Sequence, residues 1–396
     1  MKIAHITNTI SERGGGIAAV VANIARSQKN TGHDVRIWVF SPDRKKALLE
    51  ISAGVYGDLT DQIRVLNVTD LIGCAYMLLL GGRSSVGNEL NSFDVLHRHG
   101  LWSPISLLCL LVNPRLKNLF LSPHGLLNRE ALKISSKKKY VFSWLIERFA
   151  YKKSTAFIVS SDHELAEVSR FPWAAKKNIK IIPNGVDECF FVDEPVNNST
   201  VTQCFGRSDK RHQFLYLGAI ERIKGIALLL EALAELSDML RSRSYQLLCV
   251  GDGDKNYTDE LLDYIKQHDL EDIVEFRPGI YGDERINLYR ESRFFVSVSH
   301  SENFGITIAE SLVLGIPVIV SSALPWGGIR AAKAGIVVDP DLESIKKGIA
   351  IACDITDIEY AEYRSNAVKF SGNRFRWDTI GPLLIETYRT ELSSTR

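Results

Sequence analysis

Short apolar runs recur along this chain, each a few residues long and each followed by a polar or glycine-bearing turn. Residues 2–7, 35–40, 93–97, 119–122 and 155–160 read this way in the first half, and 214–217, 245–250, 273–276 and 294–298 in the second. Runs this short and continuously apolar suit strands covered on both faces. Between them lie stretches with helical character, among them Ile17 to Ala25 and the Leu-, Ala- and Glu-rich run after Gly225. Strand, turn, helix, strand in that order predicts βαβ units and parallel sheets. A chain of 396 residues exceeds one typical domain, so two α/β domains are expected. The turn Pro183-Asn184-Gly185 marks the boundary, giving 1–185, 186–375 and a final helical segment, 376–396. Residues 188–211 are polar and irregular and read as a linker or surface loop.

The densest chemistry follows the 294–298 run. Ser299-His300-Ser301-Glu302-Asn303-Phe304-Gly305-Ile306-Thr307-Ile308-Ala309-Glu310 reads as a polar loop entering a helix, which Gly315 and Pro317 stop. First-turn amides have no partner within their helix, so those of Gly305, Ile306 and Thr307 form an anion site. Amides for a diphosphate, with Glu302 and Glu310 for hydroxyls, suit a nucleotide sugar. Other motifs sit at strand-to-helix turns. Gly14-Gly15-Gly16 opens the first helix, where glycine lets backbone approach a ligand. It is not G-x-G-x-x-G, and a dinucleotide site is rejected. His97, His99 and His124 stand at or just past strand ends, where parallel sheets keep ligand residues. Arg222 and Lys224 follow the 214–217 strand, placed to neutralise a diphosphate. Asp252-x-Asp254 looks like a metal-binding pair, a reading that the family resemblance given below argues against.

Composition is ordinary for a globular protein, with 45% apolar and 24% charged residues. Six scattered cysteines without a C-x-x-C pair exclude a zinc pattern and a disulfide framework, and a reducing compartment is the simplest reading. No run of about 18 apolar residues predicts a membrane span, and the opening residues turn polar too soon for a signal peptide. Charge alters the picture more. The net charge is +1, yet residues 1–185 carry +11 and the remainder −10, so the first half is expected to face something anionic. The basic stretch 129–153 holds Lys137-Lys138-Lys139 around a stripe that includes Trp144 and Phe149. Such a helix fits an anionic lipid surface, and it equally fits a helix packed on a sheet with solvated lysines outside.

Glu302 and Glu310, seven residues apart, resemble the Glu-x7-Glu signature of the retaining, nucleotide-sugar-dependent glycosyltransferases of family 4. That family has the GT-B fold, two Rossmann-like domains facing a cleft, with a last helix that crosses back to the first. The resemblance covers nearly the whole chain. It implies that Glu310 holds ribose hydroxyls, that Glu302 reaches sugar hydroxyls, and that Asn303, Phe304 and the 305–307 amides line the donor. Gly15 and Gly16 would lie beside the reacting phosphate, and Arg277 and Pro278 in the base-binding loop. Ser122-Pro123-His124-Gly125 is similar to a donor-sugar contact, with His99 on the acceptor side. Lys224 before Gly225 matches the family pattern, while Ala219 stands where the family often has Arg, so Arg222 would have to serve. The resemblance further implies a hexose from a UDP- or GDP-sugar, no metal or other cofactor, retention of configuration, and a lipid-linked glycan acceptor. The surroundings implied are surface polysaccharide or lipopolysaccharide synthesis in the cytoplasm, peripheral to the inner face of an anionic membrane, with no nucleic acid partner. Two alternatives stand beside it: a non-catalytic nucleotide-sugar-binding protein, and a nucleotide-sugar epimerase on the same fold.

Overall fold

The computed structural model describes residues 1–9, 16–80, 82, 84–103, 106, 118–128, 132, 147–174, 177–191 and 212–394. The chain forms two compact units, one of residues 1–185 with 376–396 and one of residues 186–375.

The first unit is built on a seven-stranded sheet in the order β3-β2-β1-β4-β5-β6-β7. Its strands are β1 (Lys2–Thr7), β2 (Asp34–Phe40), β3 (Ile63–Leu66), β4 (Val95–His99), β5 (Leu119–Ser122), β6 (Ala156–Val159) and β7 (Asn178–Ile181). Every pairing is parallel. The order reverses between β1 and β4, and the crevice beyond such a switch is where parallel sheets bind ligands. The helix Ile17–Asn30 follows β1, and the last helix, Trp377–Ser394, packs on it within this unit. Ser27 Oγ donates to the Trp377 carbonyl at 2.7 Å, fixing that contact.

Strand β4 carries the tension in this unit. All five of its residues, Val95-Leu-His-Arg-His99, are buried. Alternation sends His97 and His99 to one face and Arg98 to the other. Buried polar groups need partners. Arg98 finds one in Glu147, with Nη1 to Oε2 at 2.9 Å and Nη2 to Oε1 at 2.6 Å, both side chains fully buried.

The second unit holds a six-stranded parallel sheet, β10-β9-β8-β11-β12-β13. Its strands are β8 (His212–Leu217), β9 (Tyr245–Val250), β10 (Val274–Arg277), β11 (Phe294–Ser297), β12 (Val318–Ser321) and β13 (Gly335–Val338). Apolar clusters cover both faces: Leu229, Leu233 and Ile349 are buried in one, Leu312, Trp326 and Ile329 in the other. The Val186 amide donates to the Phe375 carbonyl at 2.9 Å, closing the unit where it begins and ends. The 188–211 linker assignment needs one correction. Glu188–Phe190 forms a short 3-10 turn and Phe190 is fully buried, because its ring packs edge-on to Tyr289; residues 192–211 lie outside the described part.

Among the described residues no helix is long and apolar enough to cross a membrane.

Candidate active site

In the second unit, β11 runs into the 299–305 loop and the helix Ile306–Val313. Gly305 caps that helix with φ +83°. That φ strains any residue with a Cβ, and a Cβ there would also press on the Ile308 side chain at 2.9 Å and the Trp326 indole nitrogen at 3.2 Å, so glycine is favoured. The Trp326 indole N–H donates to the Phe304 carbonyl at 2.6 Å, and Phe304 itself is buried. These contacts fix the loop and hold the first-turn amides of Ile306 and Thr307 at a defined place.

Glu302, Asn303, Ile306 and Thr307 are partly exposed around this helix start. The Glu302 carboxylate accepts from Lys224 Nζ at 2.5 Å. Lys224 lies on the turn after β8, where Gly225 at φ +73° brings the backbone against the Val298 carbonyl. The His300 amide donates to the Ile223 carbonyl at 2.9 Å, pinning the two loops together. The pair is about one-fifth exposed, side chains at 19% and 24%, so water screens it only in part.

Glu310, one turn into the helix, is buried. Arg285 Nη1 donates to both of its oxygens, at 2.9 and 3.2 Å, and the Tyr289 hydroxyl donates to Oε2 at 2.8 Å. Burial pushes its carboxyl up to about 7, against the pull of Arg285 and Tyr289. Arg222 is not brought to the Lys224–Glu302 pair. Its guanidinium is exposed, hydrogen-bonded to Glu260 at 2.6 and 2.8 Å, and lies 4.5 Å from the Tyr257 ring centre. Arg277 is held by Glu275 at 2.7 Å on the surface, beside exposed Pro278.

Asp252 and Asp254 each have a structural task. Asp252 accepts from the Gly279 amide at 3.0 Å and the Tyr281 hydroxyl at 2.9 Å, shaping the loop after β10. Asp254 caps the helix Lys255–Gln267, accepting from the Tyr257 amide at 3.0 Å. Neither aspartate forms part of a metal-ligand cluster among the described residues.

In the first unit, His124 follows β5 with φ +52°, a left-handed conformation uncommon for a non-glycine residue. The next amide, Gly125, donates to Glu164 Oε1 at 2.7 Å, and Ser160 donates to Oε2 through both its amide and its hydroxyl. Ser161 accepts from the Glu164 amide at the start of the helix Asp162–Ser169. One carboxylate thus ties the loops after β5 and β6. A small pocket opens there, lined by His97, Ser122, His124, Ser160 and Glu164 among others. His99 is buried and hydrogen-bonds His124 at 2.9 Å. Gly16 caps the Ile17–Asn30 helix, its carbonyl accepting from the Val20 amide. Gly15 and the Lys137–Lys139 segment lie outside the described residues.

Residues 201–370 match the family Glycosyl transferases group 1, and residues 14–189 match Glycosyltransferase Family 4. The chain belongs to the family 4 glycosyltransferases. A relative from Xanthomonas oryzae pv. oryzae, GDP-mannose:cellobiosyl-diphosphopolyprenol alpha-mannosyltransferase, is 25% identical over all of this chain and 98% of its own. The D-inositol 3-phosphate glycosyltransferase of Thermobifida fusca is 25% identical over 60% of this chain and 56% of its own. Among solved structures, Anabaena Alr3699/HepE in complex with UDP superposes with a TM-score of 0.75 at 20% identity, over 98% of this chain and 100% of that one. At that identity the likeness bears on the fold, which is GT-B.

Several groups of this glycosyltransferase were not evident in its sequence. Arg285 and Tyr289 reach Glu310 from the helix Arg285–Arg290, which precedes β11. His5, Gln28 and Tyr388 join His97 and His99 inside the first unit, with His5 Nδ1 to His99 Nε2 at 3.0 Å and the Tyr388 hydroxyl to His97 Nδ1 at 2.7 Å. The one available signal was His5 in an otherwise apolar strand, since a buried polar residue must find a partner.

Proposed function

We propose that this enzyme transfers a hexose, with retention and without a metal, from a nucleotide sugar to a glycan linked to a polyprenyl diphosphate. The observation that carries this is the Lys224–Glu302 pair set beside the Gly305-capped helix start, with Glu310 one turn on. The 306–307 amides and the Lys224 ammonium would stabilise the departing diphosphate, the electrostatic task a metal performs elsewhere. Glu310 would accept from the ribose hydroxyls and Glu302 from the sugar. Arg277 and Pro278 would border the base. No side chain stands out as a covalent nucleophile. Attack from the face of departure, with the leaving phosphate taking the acceptor proton, fits such a site. The full-length relative that uses GDP-mannose and a polyprenyl-diphosphate glycan supports a donor and acceptor of those classes. The +11 charge of residues 1–185 supports an anionic acceptor at an anionic membrane surface.

The test is a panel of UDP-, GDP- and dTDP-sugars with crude polyprenyl-linked acceptors, with and without EDTA. Turnover of one donor that survives EDTA, with the anomeric configuration kept in the product, is expected. Turnover lost to EDTA would return Asp252 and Asp254 to a metal role, and binding without turnover would favour a nucleotide-sugar-binding protein.

Titration of Glu310 gives a second expectation. Only the ionised carboxylate accepts from both ribose hydroxyls, and this carboxyl is raised to about 7. Nucleotide affinity should therefore be full above that pH and weaken below it, by up to about ten-fold per pH unit. Calorimetry from pH 8 to 6 reads this directly. Glu310→Gln should bind weakly with a flat profile, and an unchanged slope in that variant would remove Glu310 from the ribose.

A further inference from the structure

Glu310 must do what a buried carboxyl resists, which is to stay ionised. Its side chain is 3% exposed, and burial pushes its carboxyl up to about 7. Three groups act on that charge. Arg285 and Tyr289, both on the helix Arg285–Arg290, favour the ionised form, and Asp187, in the segment that opens the unit, opposes it.

The two helpers are not equal. The Tyr289 hydroxyl has one proton and two acceptors in reach, Glu310 Oε2 at 2.8 Å and the Thr307 carbonyl at 3.1 Å, so it can turn away from the carboxylate. Arg285 is held in place. Its Nη1 spans both carboxylate oxygens, at 2.9 and 3.2 Å, and its Nε donates to the Gly282 carbonyl at 3.1 Å. The guanidinium carbon lies 5.4 Å from the centre of the Phe190 ring, which is itself buried edge-on to Tyr289. The guanidinium is thus fixed at its stem and on its face, and the carboxylate that it bridges is fixed with it. Arginine keeps its proton at every working pH, so this hold does not lapse as Glu310 titrates. Stability alone does not account for the arrangement. Apolar side chains of similar volume often replace a buried ion pair at no loss, and here a second carboxylate, Asp187, works against the pair.

We propose that Arg285 is a positioning residue: acting through Glu310 alone, it keeps that carboxylate ionised and in one orientation, so that a ribonucleoside diphosphate meets it already charged and aimed. This rests on the reading of Glu310 as the acceptor of ribose hydroxyls. Without the guanidinium, burial and Asp187 are opposed only by Tyr289, so the carboxyl must rise further above its ordinary range. A protonated Glu310 has fewer lone pairs to offer, and nucleotide affinity falls until the pH is high enough to ionise it again.

Two measurements on Arg285→Met test this. Carbon-13 NMR of the glutamate carboxyls, with Glu310 assigned from Glu310→Gln, follows the titration in the free enzyme. Calorimetry with UDP and with GDP follows affinity from neutral to alkaline pH. In Arg285→Met the carboxyl should move up by about one pH unit or more. Affinity just above neutrality should fall about ten-fold, and it should return toward that of the wild type as the pH is raised. KM for the donor should rise while kcat stays within about three-fold, because the ribose lies away from the bond that breaks and its contacts serve ground and transition state alike. Arg285→Lys, which restores the charge, should regain most of the wild-type midpoint. A Glu310 carboxyl that titrates in Arg285→Met where it does in the wild type would overturn the proposal. A carboxyl that moves while affinity does not would overturn the ribose reading, and the proposal with it, so the two failures are told apart. Should circular dichroism show Arg285→Met unfolded, Arg285→Met/Glu310→Gln carries the test, since it leaves no buried carboxylate to pair. It should bind nucleotide as Glu310→Gln does, whereas a further loss of about ten-fold would give Arg285 a ligand contact of its own and overturn the proposal.

Discussion

Lys224→Ala should lower kcat for sugar transfer by roughly 10²–10³-fold, the usual effect of removing one group aimed at developing charge. In the free enzyme the Lys224 ammonium is engaged by Glu302 at 2.5 Å, and both side chains retain about one-fifth of their exposure. The pair is therefore preformed yet reachable. On the proposed function, the diphosphate would compete for the ammonium as the sugar–phosphate bond breaks, and Glu302 would be freed for the sugar hydroxyls. Loss of the lysine removes the counter-charge and also strands the carboxylate beside an anionic leaving group. Because the two act as a unit, Lys224→Ala/Glu302→Ala should be little worse than either single change. Arg222→Ala should stay within about three-fold of wild type, since that guanidinium already serves Glu260 and Tyr257 on the surface and an exposed pair contributes little. Transfer rates at saturating donor measure all four. A Lys224→Ala enzyme within three-fold of wild type, or an Arg222→Ala enzyme as impaired as expected for Lys224, would exchange the roles of the two cations.

That exchange shows where sequence reading reaches its limit. The apolar runs disclosed the parallel α/β order because strands covered on both faces must be apolar throughout. The 299–310 segment was legible because loop, glycine cap and first turn are local in sequence, and Gly305 proved to need its left-handed backbone. Lys224 matched the local pattern and Arg222 was to stand in for the arginine missing at Ala219, and local pattern could not show where either side chain goes. The choice came from Glu260, on a helix reached after another strand. The same holds for Asp252 and Asp254, whose task is set by the Gly279 amide and the Tyr257 amide. Arg285 on Glu310, and Gln28 and Tyr388 on the histidines, are meetings between segments that only register and helix packing bring together. Residues 44–92 lacked a clear pattern, and the strand there, Ile63–Leu66, is four residues long with two of them half-exposed.

Glu147→Leu should destabilise the first unit by about 3–5 kcal/mol, the cost of leaving one member of a buried ion pair alone. Arg98 sits in the middle of the sheet with no exposure, and its guanidinium donates to both Glu147 oxygens. The same carboxylate accepts from the Trp102 amide at 2.7 Å and the Ser106 hydroxyl at 2.6 Å. Removing it therefore takes the carboxylate from a buried cation and the acceptor from two further donors. Thermal denaturation should show the first transition lowered by on the order of ten degrees. Turnover should also fall, because Glu147 holds the segment that begins at His99 and passes through Trp102, whose φ of +53° needs such support. The double change Arg98→Met/Glu147→Leu separates charge from packing. Apolar side chains of similar volume often replace a buried pair at no loss, so the double variant should recover most of the stability of the single one. It should not recover turnover fully, since the Trp102 amide and the Ser106 hydroxyl still lack the Glu147 carboxylate. A single variant as stable as wild type would mean that water reaches Arg98. A double variant no better than the single would mean that the anchoring of Trp102 and Ser106, rather than the ion pair, is what Glu147 contributes.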